Sequence, residues 1–66
     1  MLHVRFEGRS YDFEAEEADV DRSMDDGQVR RATARLLEVE PSRLASYQVD
    51  RPASGELIVR PQAVYG

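Results

Sequence analysis

Apolar and polar residues alternate from Leu2 to Phe6, placing Leu2, Val4 and Phe6 on one face and His3, Arg5 and Glu7 on the other. A period of two is the mark of a half-buried strand. Gly8-Arg9 supplies a turn, and Tyr11 and Phe13 then resume the alternation around Asp12, so the spacing predicts an amino-terminal β-hairpin. Glycine suits the turn because a tight hairpin needs a residue that tolerates positive φ.

Between Glu14 and Asp21 a run of acids breaks the pattern, and Ser23-Met24-Asp25-Asp26 reads as a helix entry, with Ser23 as N-cap and acids in the first turn. Val29, Ala32, Leu36 and Leu37 follow at i, i+3, i+7 and i+8, one apolar stripe that predicts a helix from about Met24 to about Leu37. Leu36 is expected to be buried between this helix and a sheet. Gln28, Arg30, Arg31 and Arg35 take the wet side, and Gly27 weakens the first turn by up to ~1 kcal/mol, so the start is free to slip by a few residues. Pro41 ends the helical run, because proline disfavours helical geometry in the residue before it. Arg43-Leu44-Ala45 fits a short helical turn. Tyr47 and Val49 alternate with Gln48 and Asp50, Pro52-Ala53-Ser54-Gly55 is a strong turn signal, and Glu56 to Arg60 forms a last strand.

The element order is therefore ββαββ. A helix with one apolar stripe must cover one face of a sheet, and neither hairpin is stable alone in water. The economical arrangement pairs the first and last strands centrally and in parallel, with the helix as the right-handed connection between the hairpins. This predicts an α+β fold with one helix across a four-stranded mixed sheet, a single domain over 1–60 and a tail over 61–66. Nothing in the composition marks a second domain.

The chain has 66 residues and no cysteine, which excludes a disulfide framework and a thiol nucleophile. A chain this short buries only about 60% of its unfolded surface, so the core must be small and regular. Met1 opens directly onto a charged, alternating strand, and no apolar run approaches the ~20 residues of a membrane span, so the expectation is a cytoplasmic protein with no membrane contact. A formal charge of −4 argues against nucleic acid as partner. All nine positive charges are arginine, so the only primary amine is the amino terminus of Met1.

Candidate chemistry is sparse, and the expectation is that the chain is not an enzyme and carries no cofactor. His3, the only histidine, is placed toward solvent by the alternation and has no cysteine or nearby serine to activate. Seven acids fall within the thirteen positions 14–26, but aligning Asp19 to the start of a calcium loop puts Met24 where glycine is needed and Arg30 where a bidentate glutamate belongs. The run reads as a solvated acidic loop, with docking onto a basic partner as its functional alternative. Arg30, Arg31 and Arg35 share the exposed helix face, an ordinary charged surface or a grip for phosphate or an acidic partner protein. Asp26 and Arg30 form an i,i+4 pair. Leu57, Ile58 and Val59 are consecutive, so with Leu57 and Val59 inward Ile58 must face outward, a lone surface apolar residue or a partner contact.

The sequence ends Pro61-Gln62-Ala63-Val64-Tyr65-Gly66. A terminal glycine is sterically bare: its carboxylate can thread a narrow enzyme channel, be adenylated and pass to a thiol. The plain alternative is that the sequence simply stops at a glycine.

The opening hairpin VRFEGRSYDF, the long helix entered through SMDDGQV and the ending ELIVRPQAVYG together resemble the ubiquitin-like β-grasp modifiers of bacterial ubiquitination-like operons, and also the small C protein of PRTRC plasmid gene clusters. The similarity is one of layout over nearly the whole chain. It implies a ubiquitin-like β-grasp fold and a modifier role, with a bacterial antiphage defence operon as the setting. The partners it implies are a ThiF-class activating enzyme, a conjugating enzyme, a JAB-type or related peptidase and a target protein. Gly66 then matches the reactive carboxyl terminus, and Ala63, Val64 and Tyr65 the tail read by those enzymes. Familiar modifiers end in two glycines, whereas here Tyr65 is penultimate, which points to a channel adapted to an aromatic ring and away from a sulfur-carrier role. The alternative from another class is a non-conjugated β-grasp adaptor that binds a protein through Ile58 or the Arg30, Arg31, Arg35 face, with self-association through the sheet edges open to either.

Overall fold

The computed structural model describes residues 1–62, so the tail assignments to Ala63, Val64, Tyr65 and Gly66 lie outside the described residues. Strands β1 (Leu2–Phe6) and β2 (Arg9–Phe13) form the expected hairpin. Glu7 and Gly8 occupy its two-residue turn with φ of 51° and 79°, and Arg9 already belongs to β2. Positive φ at both turn positions matches the right-handed twist of the flanking strands, which is why glycine is wanted at the second.

A short helix α1 (Ala15–Ala18) follows, where the sequence suggested only an acidic loop. Its acids Glu16 and Glu17 face outward, while Ala18 and, just after it, Val20 enter the core. Helix α2 spans Asp26–Leu37. Its N-cap is Asp25 rather than Ser23. The Asp25 carboxylate accepts from the Gln28 backbone N–H at 2.8 Å and the Gln28 side chain accepts from the Asp25 N–H at 2.9 Å, a reciprocal capping box. Ser23 is instead held by Asp21, whose carboxylate accepts from its N–H at 2.7 Å and from its hydroxyl. Asp25→Ala is expected to cost about 1 kcal/mol, the usual worth of such a cap, and a chemical denaturation curve measures it.

After α2 a 3-10 turn (Pro41–Leu44) leads to β3 (Tyr47–Asp50), and β4 (Leu57–Pro61) closes the sheet. Pro61 pairs with Tyr47 at the end of β4 and so belongs to the strand, one residue past the expected limit. The strand order is β2-β1-β4-β3, with β1 and β4 parallel at the centre and antiparallel partners outside. This is a small α+β domain with a four-stranded mixed sheet and a helix packed against it, the arrangement expected of two hairpins joined through a helix.

The core lies between α2 and one sheet face. Leu2, Val4, Phe6, Leu57 and Val59 come from the central strands, Val29, Ala32 and Ala34 from α2, and Leu44 from the 3-10 turn. Leu36 is half-buried at the margin, not enclosed as the stripe suggested. Thr33 takes a fully buried place instead, because its hydroxyl donates to the Val29 carbonyl at 2.8 Å and leaves no orphan polar group. Arg51 ties the loop before α2 to the end of β3: its Nη2 donates to the Met24 carbonyl at 2.9 Å and to Asp26 at 2.7 Å. Asp26 therefore pairs with Arg51, not with Arg30.

Candidate functional site

The sheet face opposite α2 carries no secondary structure among the described residues, and the strand registers fix its composition. His3 stands opposite Asp12 on β2 and beside Ile58 on β4, and Ile58 stands opposite Asp50 on β3. One row, Asp12–His3–Ile58–Asp50, thus crosses all four strands. One step further along lie Ser10 opposite Arg5, and Gln48 opposite Arg60. Each residue is outward because its neighbours Leu2, Val4, Leu57 and Val59 are inward, the alternation of a pleated sheet.

His3 is the electrostatic centre of this row. Its Nδ1 lies 2.5 Å from an Asp12 carboxylate oxygen and its Nε2 3.1 Å from Glu56. Its pKa is raised above the ordinary 6.5, chiefly by the hydrogen bond to Asp12; burial opposes this as the next largest effect, and the charges of Glu56 and Asp12 add to the rise. The protonated ring can donate to both carboxylates at once, so it clasps β2, β1 and the entry to β4. Two carboxylates on opposite ring nitrogens cannot share one metal with that ring. Among the described residues no cluster of three His, Cys, Asp or Glu side chains is arranged to hold a metal ion.

At the far end of the row Asp50 accepts from the Gln48 amide at 2.8 Å and pairs with Arg60, and these hydrogen bonds hold its carboxyl below the usual carboxylate range, the Arg60 bond most strongly. At the histidine end of the row, His3, Arg5, Ser10, Tyr11, Asp12 and Ile58 line a shallow groove of about 230 Å³. Ile58 is half-buried in it rather than projecting freely.

The histidine clasp has a signed pH dependence. A group whose folded pKa is raised contributes stability that is fully present below its unfolded value, near 6.5 for His3, and is lost as pH rises through the folded value. Thermal midpoints are therefore expected to fall as pH rises above the ordinary histidine range, and His3→Gln to flatten that part of the profile. A variant with the unaltered slope would show that the clasp contributes nothing to folding.

Sequence reasoning foresaw the outward positions of His3 and Ile58 but not the company they keep. The Asp12 partner was accessible from the hairpin, since a turn at Glu7-Gly8 puts residue 3 across from residue 12. Glu56 was not, because it depends on the parallel register of β1 and β4.

The arginine face divides. Arg30 is half-buried and its Nη1 donates to the Tyr47 carbonyl at 3.3 Å, so it braces α2 against β3. Arg31 and Arg35 are exposed on the helix, with Arg31 Nε within 3.4 Å of the Gly27 carbonyl. Arg43 sits over the Phe6 ring, 5.2 Å from its centroid, and pairs with Glu7, joining the 3-10 turn to the hairpin rather than to the helix arginines. No helix among the described residues is long and apolar enough to cross a membrane. No protein-family model, curated protein or solved structure matches the chain.

Proposed function

We propose that this domain is a ubiquitin-like protein modifier of a bacterial ubiquitination-like pathway, with Gly66 as the acyl donor. The observation that supports the reading most is the sheet. Parallel β1 and β4 lie at its centre under a single crossing helix, and β4 closes on Pro61, after which Gln62 is exposed and outside the ladder. Proline has no N–H to continue a ladder, so pairing ends there.

In this reading the partners supply the catalysis. A ThiF-class enzyme joins the Gly66 carboxylate to the α-phosphate of ATP with release of pyrophosphate. An enzyme thiol displaces AMP, and a target amine displaces the thiol. A JAB-type or related peptidase reverses the bond. Tyr65, with Ala63 and Val64, is the segment these enzymes read.

Conjugates are the test. Trypsin cuts poorly before proline, and both Arg51 and Arg60 precede one, so it leaves a bulky remnant beginning at Leu44. Chymotrypsin cuts after Tyr65 and leaves a single glycine on the acceptor lysine. Cells expressing the protein with its neighbouring genes should yield that remnant on a target. Because the 66 residues include no lysine, self-linkage through a side-chain amine among them is excluded.

A second reading, a non-conjugated adaptor, is favoured by one feature, the groove that brings Ile58 beside His3 and Arg5. Ile58→Asp would then abolish partner capture in a chain that forms no conjugates.

A further inference from the structure

The two edges of the sheet are treated differently by the rest of the molecule. At β3, α2 packs alongside and the Tyr47 carbonyl is taken by Arg30. At β2 no such cover exists among the described residues. Tyr11 and Phe13 lie half-exposed on the helix side of β2, stacked at 6.3 Å with their planes 5° apart.

The hairpin register decides which backbone groups β2 offers. In a two-residue hairpin the pair flanking the turn, here Phe6 and Arg9, is hydrogen-bonded, and bonding then alternates to Val4/Tyr11 and Leu2/Phe13. The N–H and C=O groups of Ser10 and Asp12 therefore point away from β1, toward the open edge. Among the described residues nothing takes them.

The geometry points to this edge as a homodimer interface, in which β2 pairs antiparallel with β2 of a second copy about a two-fold axis at Tyr11. Three registers can place outward-pointing groups opposite one another. Centring on Asp12 sets Asp12 against its own copy, a like-charge pair, and centring on Ser10 leaves Phe13 beyond the end of the partner strand. Centring on Tyr11 uses all five residues: Ser10 faces Asp12, Tyr11 faces Tyr11, and Arg9 faces Phe13, where its guanidinium can lie over the ring. The two Ser10/Asp12 pairs exchange four backbone hydrogen bonds. The edge carries the charges that normally discourage pairing, but in this one register no like charges stand opposite one another. The Asp12 side chain is drawn onto the outer face by His3 and does not obstruct the ladder.

Two five-residue strands bury less than a standard interface, so the dimer should be weak and visible only at high concentration, about 0.1–1 mM. This inference rests on the β2 edge alone and stands or falls separately from conjugation at Gly66.

Sedimentation equilibrium and amide NMR over that range test it. The full chain should dimerise, with the Ser10 and Asp12 amides shifting most. Ser10→Pro should abolish the dimer while keeping the fold, because the N–H it removes is not bonded to β1. The chain lacks cysteine, so a crosslink supplies a second, independent arm. Tyr11→Cys should oxidise to a covalent dimer, since Cα atoms about 4.5 Å apart in a non-hydrogen-bonded pair suit a disulfide, and Phe13→Cys should not. A chain that stays monomeric at 1 mM by this order-of-magnitude range, or a dimer indifferent to Ser10→Pro, overturns the proposal. So does a monomer whose β2 amides respond only to an added extended peptide, which would assign the edge to a different protein.

Discussion

Leu44→Ala is expected to leave the domain close to unfolding at room temperature. Leu44 is fully buried, and the 3-10 turn that carries it packs against α2, so its side chain closes one end of the core where few other groups reach. Buried leucine-to-alanine changes cost about 2–5 kcal/mol, through lost transfer energy and the cavity left behind. At roughly 0.05–0.15 kcal/mol per residue a 66-residue domain has about 3–10 kcal/mol in all. The melting midpoint should therefore fall by at least about 10 °C, given about 4–8 °C per kcal/mol at this size. Leu36→Ala is the contrast. Half-buried at the margin, Leu36 should cost about 1 kcal/mol when truncated. Equal losses at the two positions, or a Leu44→Ala midpoint within about 2 °C of the parent, would show that the helix and the 3-10 turn do not seal the core as described.

The contrast between those two leucines also shows what the sequence could and could not convey. Period-two alternation in β1, β2 and around Leu57 and Val59 reported real faces, since Leu2, Val4, Phe6, Leu57 and Val59 are buried and Tyr11 and Phe13 are packed against that core. The helical stripe was less exact. Leu36 matched the spacing but is only half-buried against the core, while Thr33 and Ala34, neither strongly hydrophobic, took buried places. Ala18 and Val20 were hidden among acids, where two apolar residues in a polar run give no period to read. Ser23 and Asp25 are both good caps two residues apart, and the choice fell to Asp25 because Asp21 captures Ser23 while Gln28 completes the box. Long-range pairs were the least legible. Arg51 reaching Met24 and Asp26, or Glu56 reaching His3, depends on which strands become neighbours, and local patterning carries no record of that.

Conjugation at Gly66 is the claim on which the functional account turns, and one comparison tests it: the full chain against the same chain lacking Gly66, each given ATP and a ThiF-class activating enzyme of the kind the proposal requires. The account predicts ATP–pyrophosphate exchange and an enzyme thioester with the full chain and neither with the truncated one. Removing Gly66 moves the terminal carboxylate onto Tyr65, one residue short and flanked by a ring that a channel fitted to a bare glycine would not admit. The two proteins should melt together within about 2 °C, because the core described above draws on residues no later than Val59. Tyr65→Ala should keep exchange but slow it, as the loss of a recognition contact does. A truncated chain that is charged as well as the full one, or a full chain that gives no exchange with its own enzyme, would contradict the modifier reading.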